Sequence, residues 1–154
     1  MATRYRIVRA GVEHVATIAP LFDAYRQFYK LPPDQERGRK FLSERLSRGE
    51  SVVFLAMAEG ETGWIAVGFT QLYATFSSLS LKRLWILSDL FVSPQARKLG
   101  VGRALMERAR QLAAETGAEG LVLETAIDNH SAQALYERLG WKRDEKFFRY
   151  ALTF

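Results

Sequence analysis

The sequence predicts a mixed α/β fold, α+β in its connectivity, built as one domain over residues 1–154. Segments rich in Val, Ile, Phe, Tyr and Thr alternate with segments whose apolar residues recur every three or four positions. No long linker, low-complexity tract or internal repeat separates them. A chain of 154 residues buries about 68–70% of its unfolded surface in one core, which leaves no room for a second domain.

Residues 5–9 set Tyr5, Ile7 and Arg9 against Arg6 and Val8, a short strand closed by Gly11. Over residues 12–29, Val15, Ile18, Leu21, Phe22, Tyr25, Phe28 and Tyr29 form the buried stripe of a helix. Pro20 lacks the amide hydrogen and collides with the preceding turn, so that helix is expected to kink or divide. Pro32 and Pro33 end it. Asp34 then caps a second helix running to about Ser47, with Phe41, Leu42 and Leu46 as its stripe and Gly49 beyond its end. Residues 51–58 and 64–75 read as a hairpin turned at 59–63, and residues 84–92 as a central, nearly all-apolar strand. A helix follows over 100–116, then a buried strand over 120–125. Asn129 or Ser131 caps a short helix carrying Ala132, Leu135, Tyr136 and Leu139, and residues 147–154 close the chain as aromatic strand material.

The charge is +5, from 22 Lys and Arg against 17 Asp and Glu, which admits phosphates, nucleic acid or anionic membranes as partners. The absence of Cys excludes disulfides, thiolate nucleophiles and Cys-ligated metal centres, and His14 and His130 alone make a poor metal site, so no metal is expected. Nothing resembles a signal peptide, and no apolar run approaches the roughly 18 residues of a membrane span. A soluble cytoplasmic protein is the expectation, with neither membrane nor nucleic acid as its partner.

Charge concentrates at one place. Between Val92 and Arg110, Arg97, Lys98, Arg103, Arg108 and Arg110 stand against Glu107, a net of +4. The segment runs from the strand Leu90-Phe91-Val92 through a basic turn to Gly100-Val-Gly102, which opens a helix. Unpaired amides and the dipole at a helix N-terminus attract anions, and glycine lets a phosphate approach closely. A phosphate-loop NTPase needs Gly, four residues and then Gly-Lys-Ser/Thr, which is absent. A dinucleotide fingerprint needs a third glycine where Leu105 stands.

Two motifs carry a resemblance over nearly all of the chain. Arg97-Lys-Leu-Gly-Val-Gly102 is similar to the Gln/Arg-x-x-Gly-x-Gly/Ala loop of the GNAT superfamily of acetyl-CoA-dependent N-acetyltransferases. Asn129 with Ser131-Ala-Gln-Ala-Leu-Tyr-Glu-Arg-Leu-Gly-Trp141 resembles its downstream Asn-x-x-Ala-x-x-Leu-Tyr-x-x-x-Gly-Phe segment, with Trp141 for Phe.

The resemblance implies a central mixed sheet of six or seven strands, splayed at its middle, flanked by helices. It also implies acetyl-CoA as co-substrate. The amides of Leu99, Gly100, Val101, Gly102, Arg103 and Ala104 would hold the pyrophosphate beside Arg97 and Lys98. Leu90 and Val92 would pair with the pantetheine arm, an amide near Phe91 or Val92 would polarise the acetyl carbonyl, and Asn129 would orient the cofactor. Tyr136 corresponds to the general acid. A phenol of pKa about 10 is protonated at neutral pH and can supply a thiolate whose thiol has a pKa of about 8.5.

The base is open between Asp89 and Glu124. Relatives often place Glu before that Asp, where Ser88 stands here, so a water chain past Ser88 and Asp89 becomes an alternative to direct abstraction. Asp89 can also be read as an acid paired with an arginine. The closest branch in pattern is that of diamine and polyamine acetyltransferases and their protein-lysine-modifying relatives. Tyr25, Phe28, Tyr29 and Glu124 would line the acceptor side, with Asp23, Asp34 or Glu36 attracting its charge; core packing is the other reading of Phe28. The acceptor expected is a primary amine, of a small molecule first and of a protein lysine or N-terminus second. The rival classes are a non-catalytic acyl-CoA-binding module and a nucleic-acid-binding domain. The aromatic C-terminal segment suggests a homodimer.

Overall fold

Five strands form one sheet in chain order in the computed structural model, which describes residues 4–154. Strands β1 (Tyr5–Ala10), β2 (Ser51–Gly60), β3 (Gly63–Ser77) and β4 (Lys82–Val92) are antiparallel neighbours, and β5 (Gly120–Val122) joins parallel to β4. Helices α1 (Val15–Phe28) and α2 (Gln35–Ser47) follow β1, α3 (Val101–Glu115) makes the crossover from β4 to β5, and α4 (His130–Arg138) follows β5.

The sheet is covered on both faces. Ile18, Leu21 and Phe22 of α1 and Leu42 of α2 pack on Val53, Leu55, Phe69 and Phe91. On the other face Arg108 of α3 lies over the ring of Phe54, 4.4 Å from its centroid, as the alternation of β2 requires. Gly68 fixes how closely α3 approaches. A Cβ there would stand 2.9 Å from the Phe91 carbonyl oxygen and 3.3 Å from Val101 Cγ1, so the first turn of α3 can sit beside the end of β4 only over a glycine.

The structure corrects three expectations. Pro20 lies inside one continuous helix, so the chain does not divide there, and a separate 3-10 turn over Val12–His14 precedes the helix. The carbonyl that loses its partner belongs to Ala16, and Ala16 and Pro20 are both exposed, so water can satisfy it. The strand expected over 120–125 is only Gly120–Val122, which pairs with Leu84, Trp85 and Ile86 and then leaves β4. No strand forms over 147–154 among the described residues, which leaves five strands rather than six or seven.

Backbone contacts separate a unit ending at Leu123 from a second, Glu124–Phe154. The second holds α4, whose N-terminus is capped by Asn129, its side chain accepting from the Ala132 amide at 3.4 Å. Phe147, Phe148, Tyr150, Leu152 and Phe154 are exposed.

Candidate active site

The first component of the site is the free side of β4. Among the described residues no strand pairs with that side beyond Ile86. The Ser93 amide donates to the Val67 carbonyl at 2.8 Å, so strand alternation turns the amide and carbonyl of Phe91 toward β3 and those of Leu90 and Val92 away from it. The Phe91 amide is therefore engaged in the ladder, and of the two expected carbonyl-polarising donors only Val92 faces the open side. Arg97 folds back onto this end of the strand. Its Nε donates to the Val92 carbonyl at 3.0 Å and its guanidinium lies 5.8 Å from the centre of the Phe91 ring.

The second component is the loop. After a 3-10 turn over Pro94–Ala96, Lys98 (φ 64°) and Gly100 (φ 82°) take left-handed conformations that reverse the chain into α3. Tyr5 donates its hydroxyl to the Gly100 carbonyl at 3.2 Å, anchoring the loop to β1. Val101, Gly102 and Arg103 are the first-turn positions whose amides lack an intrahelical carbonyl. The Ala104 amide instead bonds the Gly100 carbonyl at 3.0 Å, which removes it from the expected anion-binding set. Leu99, Lys98 and Arg103 are exposed, whereas Arg108 points to the sheet with Nη1 3.6 Å from Glu115. Positive charge at the loop thus comes from Arg97, Lys98 and Arg103.

The third component is a buried polar cluster that depends on a bulge. Gln71 pairs with Asp89 but Leu72 pairs with Leu87, so Ser88 is an extra residue in β4. The bulge reverses the strand's facing. Trp85 donates from Nε1 to Thr116 at the end of α3, while Phe91, six residues on, meets Tyr25 of α1 edge to face at 6.4 Å. Asp89 falls on the α1 side and is buried there. Its Oδ2 accepts from Gln71 Nε2 at 2.7 Å, and its Oδ1 lies 3.5 Å from Ser88 Oγ. The Tyr25 hydroxyl serves both the Ser88 carbonyl, at 3.3 Å, and the Asp89 carboxylate.

Burial pushes the Asp89 carboxyl above the usual range, and the bonds from Gln71, Tyr25 and Ser88 hold it partly back. Tyr73, bonded to Ser88, is pushed up to about 12 by burial and then by the charge of Asp89, against the Ser88 bond and Arg45. No ion pair to Asp89 is among those of the described residues, so it is not an acid held by an arginine. A buried carboxylate whose proton affinity is raised suits proton acceptance.

The remaining expected residues divide. Tyr25 is half-buried with Tyr29 edge-on at 5.2 Å, and Phe28 and Tyr29 are 55% and 45% exposed, so Phe28 is not core packing. The three acids proposed to attract the acceptor are engaged elsewhere. Asp23 accepts from the Asp34 amide and from Gln27, Asp34 caps α2 at the Arg37 amide, and Glu36 pairs with Arg39. Glu124 lies in the second unit, exposed and paired with Arg149 at 2.8 Å, not on a buried strand. Tyr136, also in that unit, is half-buried on α4 with its ring 6.1 Å from that of Trp141. Gln71 and Tyr73 were missed by sequence reasoning. The available signal was two polar-headed residues sharing parity with Phe69 in a mostly apolar strand.

Residues 18–141, which include this helix start and the open strand edge, fit the Acetyltransferase (GNAT) family. The chain belongs to that family. It is 44% identical over 147 residues to the uncharacterized N-acetyltransferase YhfO of Bacillus subtilis (strain 168), with 96% of each chain covered. It is 33% identical over 150 residues to a probable acetyltransferase of Haemophilus influenzae, covering 96% of this chain and 99% of that one. The crystal structure of a probable acetyltransferase superposes with a TM-score of 0.89 at 45% identity, covering 97% of both. This GNAT protein is an acetyl-CoA-dependent N-acetyltransferase. Among its described residues no cluster of three His, Asp or Glu offers a metal site, and no helix is long and apolar enough to cross a membrane.

Proposed function

We propose that this enzyme transfers acetyl directly from acetyl-CoA to the primary amine of a small molecule, with Asp89 as proton acceptor and Tyr136 as general acid. The observation that carries the reading is the buried Asp89 beside the Ser88 bulge, on the strand whose far edge is open. A primary ammonium of pKa near 10 is only about 0.1% neutral at pH 7, so its proton needs a destination. Asp89 Oδ1 supplies one, reached through a water at Ser88. The neutral nitrogen attacks the thioester carbon, whose oxygen is polarised by the Val92 amide, and the C–S bond breaks as the intermediate collapses. Tyr136 protonates the leaving thiolate, and the second nitrogen proton replaces the one it gave. One proton is released per turnover. With no Cys in the chain, no cysteine acyl-enzyme intervenes.

The amides from Leu99 to Arg103 hold the pyrophosphate, and Leu90 and Val92 meet the pantetheine arm. Because Arg97 occupies the Val92 carbonyl and the Val92 amide serves the thioester oxygen, backbone pairing with the arm falls to Leu90. The Asn129 side-chain oxygen caps α4, which leaves its amide nitrogen for the cofactor. Tyr25, Phe28 and Tyr29 wall the acceptor's carbon chain. With Asp23, Asp34 and Glu36 engaged, none of these three acids is left free for a second ammonium, which favours a monoamine over a diamine or polyamine. The exposed aromatic side chains of 147–154 support a homodimer, and a cytoplasmic location suits the acetyl-CoA supply.

The test is a panel of monoamines, diamines and peptides with acetyl-CoA, read as free thiol. Small monoamines are expected to react fastest. A peptide lysine or N-terminus as best acceptor would replace the small-molecule reading, and acetyl-CoA binding without thiol release across the panel would leave only a binding module.

A further inference from the structure

We propose that Gln71 is the positioning residue of the proton acceptor: its amide occupies Oδ2 of Asp89 and leaves Oδ1 as the oxygen that receives the proton. This rests on the reading of Asp89 given above. Gln71 and Asp89 face each other in the register at the last pair before the bulge, and a 2.7 Å bond from Nε2 joins them. Gln71 is completely buried, and its own Oε1 has no hydrogen-bond partner. An apolar side chain of similar size would fill the position without stranding that oxygen. The amide earns its place only through the bond to Asp89.

The chemistry follows from which groups donate. Gln71 Nε2 can only donate, so it marks Oδ2 as an acceptor in both states of the carboxyl. When Oδ1 takes a proton, Oδ2 still accepts from Gln71 and the carboxyl plane does not turn. Oδ1 meanwhile faces Ser88 Oγ at 3.5 Å, a loose contact that a water or an amine can displace, and the Tyr25 hydroxyl, which also bonds the carboxylate, has the Ser88 carbonyl at 3.3 Å as its other acceptor. The groups facing Asp89 are Tyr25 from α1 and Tyr73 and Gln71 from β3, with Ser88 beside it. Arg45 of α2 acts on Tyr73 and is itself paired with Glu44 and Glu50. Removing the Gln71 donor leaves burial less opposed, so the carboxyl ionises at higher pH.

The experiment is the pH profile of kcat/KM for the wild type, Gln71→Met and Asp89→Asn, with acetyl-CoA affinity by calorimetry and thermal melting as controls for folding. Gln71→Met is expected to bind acetyl-CoA as the wild type does and to move the acid limb upward by about one to two pH units, the worth of one hydrogen bond to a charged group. Its kcat at high pH should recover most of the loss seen at pH 7. Wild-type turnover in Asp89→Asn overturns the Asp89 reading itself. A slow Asp89→Asn together with an unmoved limb in Gln71→Met overturns the role of Gln71 and leaves Asp89 standing. If Gln71→Met does not fold, Gln71→Glu keeps the shape and sets two carboxyls to share a proton, which must also raise the limb; an unmoved limb there overturns the proposal equally.

Discussion

The loop after β4 and the polar cluster around Asp89 are neighbours in the chain, yet they are built by different means. The loop presents backbone amides over a few consecutive residues, turned into place by left-handed Lys98 and Gly100. The Arg97 side chain at its start is folded onto the Val92 carbonyl. The cluster gathers side chains from α1, β3 and β4, with Tyr25 meeting Ser88 across 63 positions of sequence. Anion binding by backbone tolerates side-chain changes and fails when the backbone cannot turn. Proton handling across strands fails with a single side chain.

The sharpest way to break this contrast is outside both regions. Tyr136→Phe should lose about 10²–10⁴-fold in kcat with acetyl-CoA affinity intact, the range of a general acid, and wild-type turnover would remove Tyr136 from the chemistry. Within the loop, Gly100→Val forces a branched residue into φ 82° with its Cβ 3.4 Å from the Tyr5 hydroxyl. Strain of about 1–2 kcal/mol should weaken acetyl-CoA binding roughly 5- to 30-fold by calorimetry. Gly68→Ala presses a methyl on the Phe91 carbonyl and should lower stability by about 1–3 kcal/mol in denaturant unfolding. Arg97→Ala should cost only a few-fold in affinity, because its Nε is held by the Val92 carbonyl; a hundredfold loss would mean that it grips the pyrophosphate directly.

Stability against pH separates the regions again. Asp89 has its carboxyl raised in the fold, so its contribution is full below the unfolded pKa of about 3.9 and is lost as pH rises through the folded value. Asp89→Asn cannot ionise. Its melting temperature relative to the wild type should therefore climb between pH 4 and pH 8, by about 2–4 °C for each kcal/mol, and an equal difference at both would contradict the burial of that charge.

The legible parts of the molecule were those decided locally. Asp34 and Asn129 cap as their positions predict, and the turn at Gly100 opens α3. The strand over 120–125 is shorter than expected, and Glu124 lies outside it, because β-propensity says that a segment can pair, not how far it follows its neighbour; the chain leaves β4 after Ile86 although that edge continues. Propensity likewise overstated 147–154, where no strand forms. Asp89 was legible as an acid on a buried strand, but its partner was not, since one extra residue at Ser88 decides which side chains share its face.

The most direct test of the account is turnover at saturating acetyl-CoA by Asp89→Asn beside the wild type, with acetyl-CoA affinity measured on the same preparations. The account predicts equal affinity, a rate lower by about 10²-fold or more at pH 7, and an acid limb absent from the pH profile. Equal affinity with an unchanged rate and limb would contradict it.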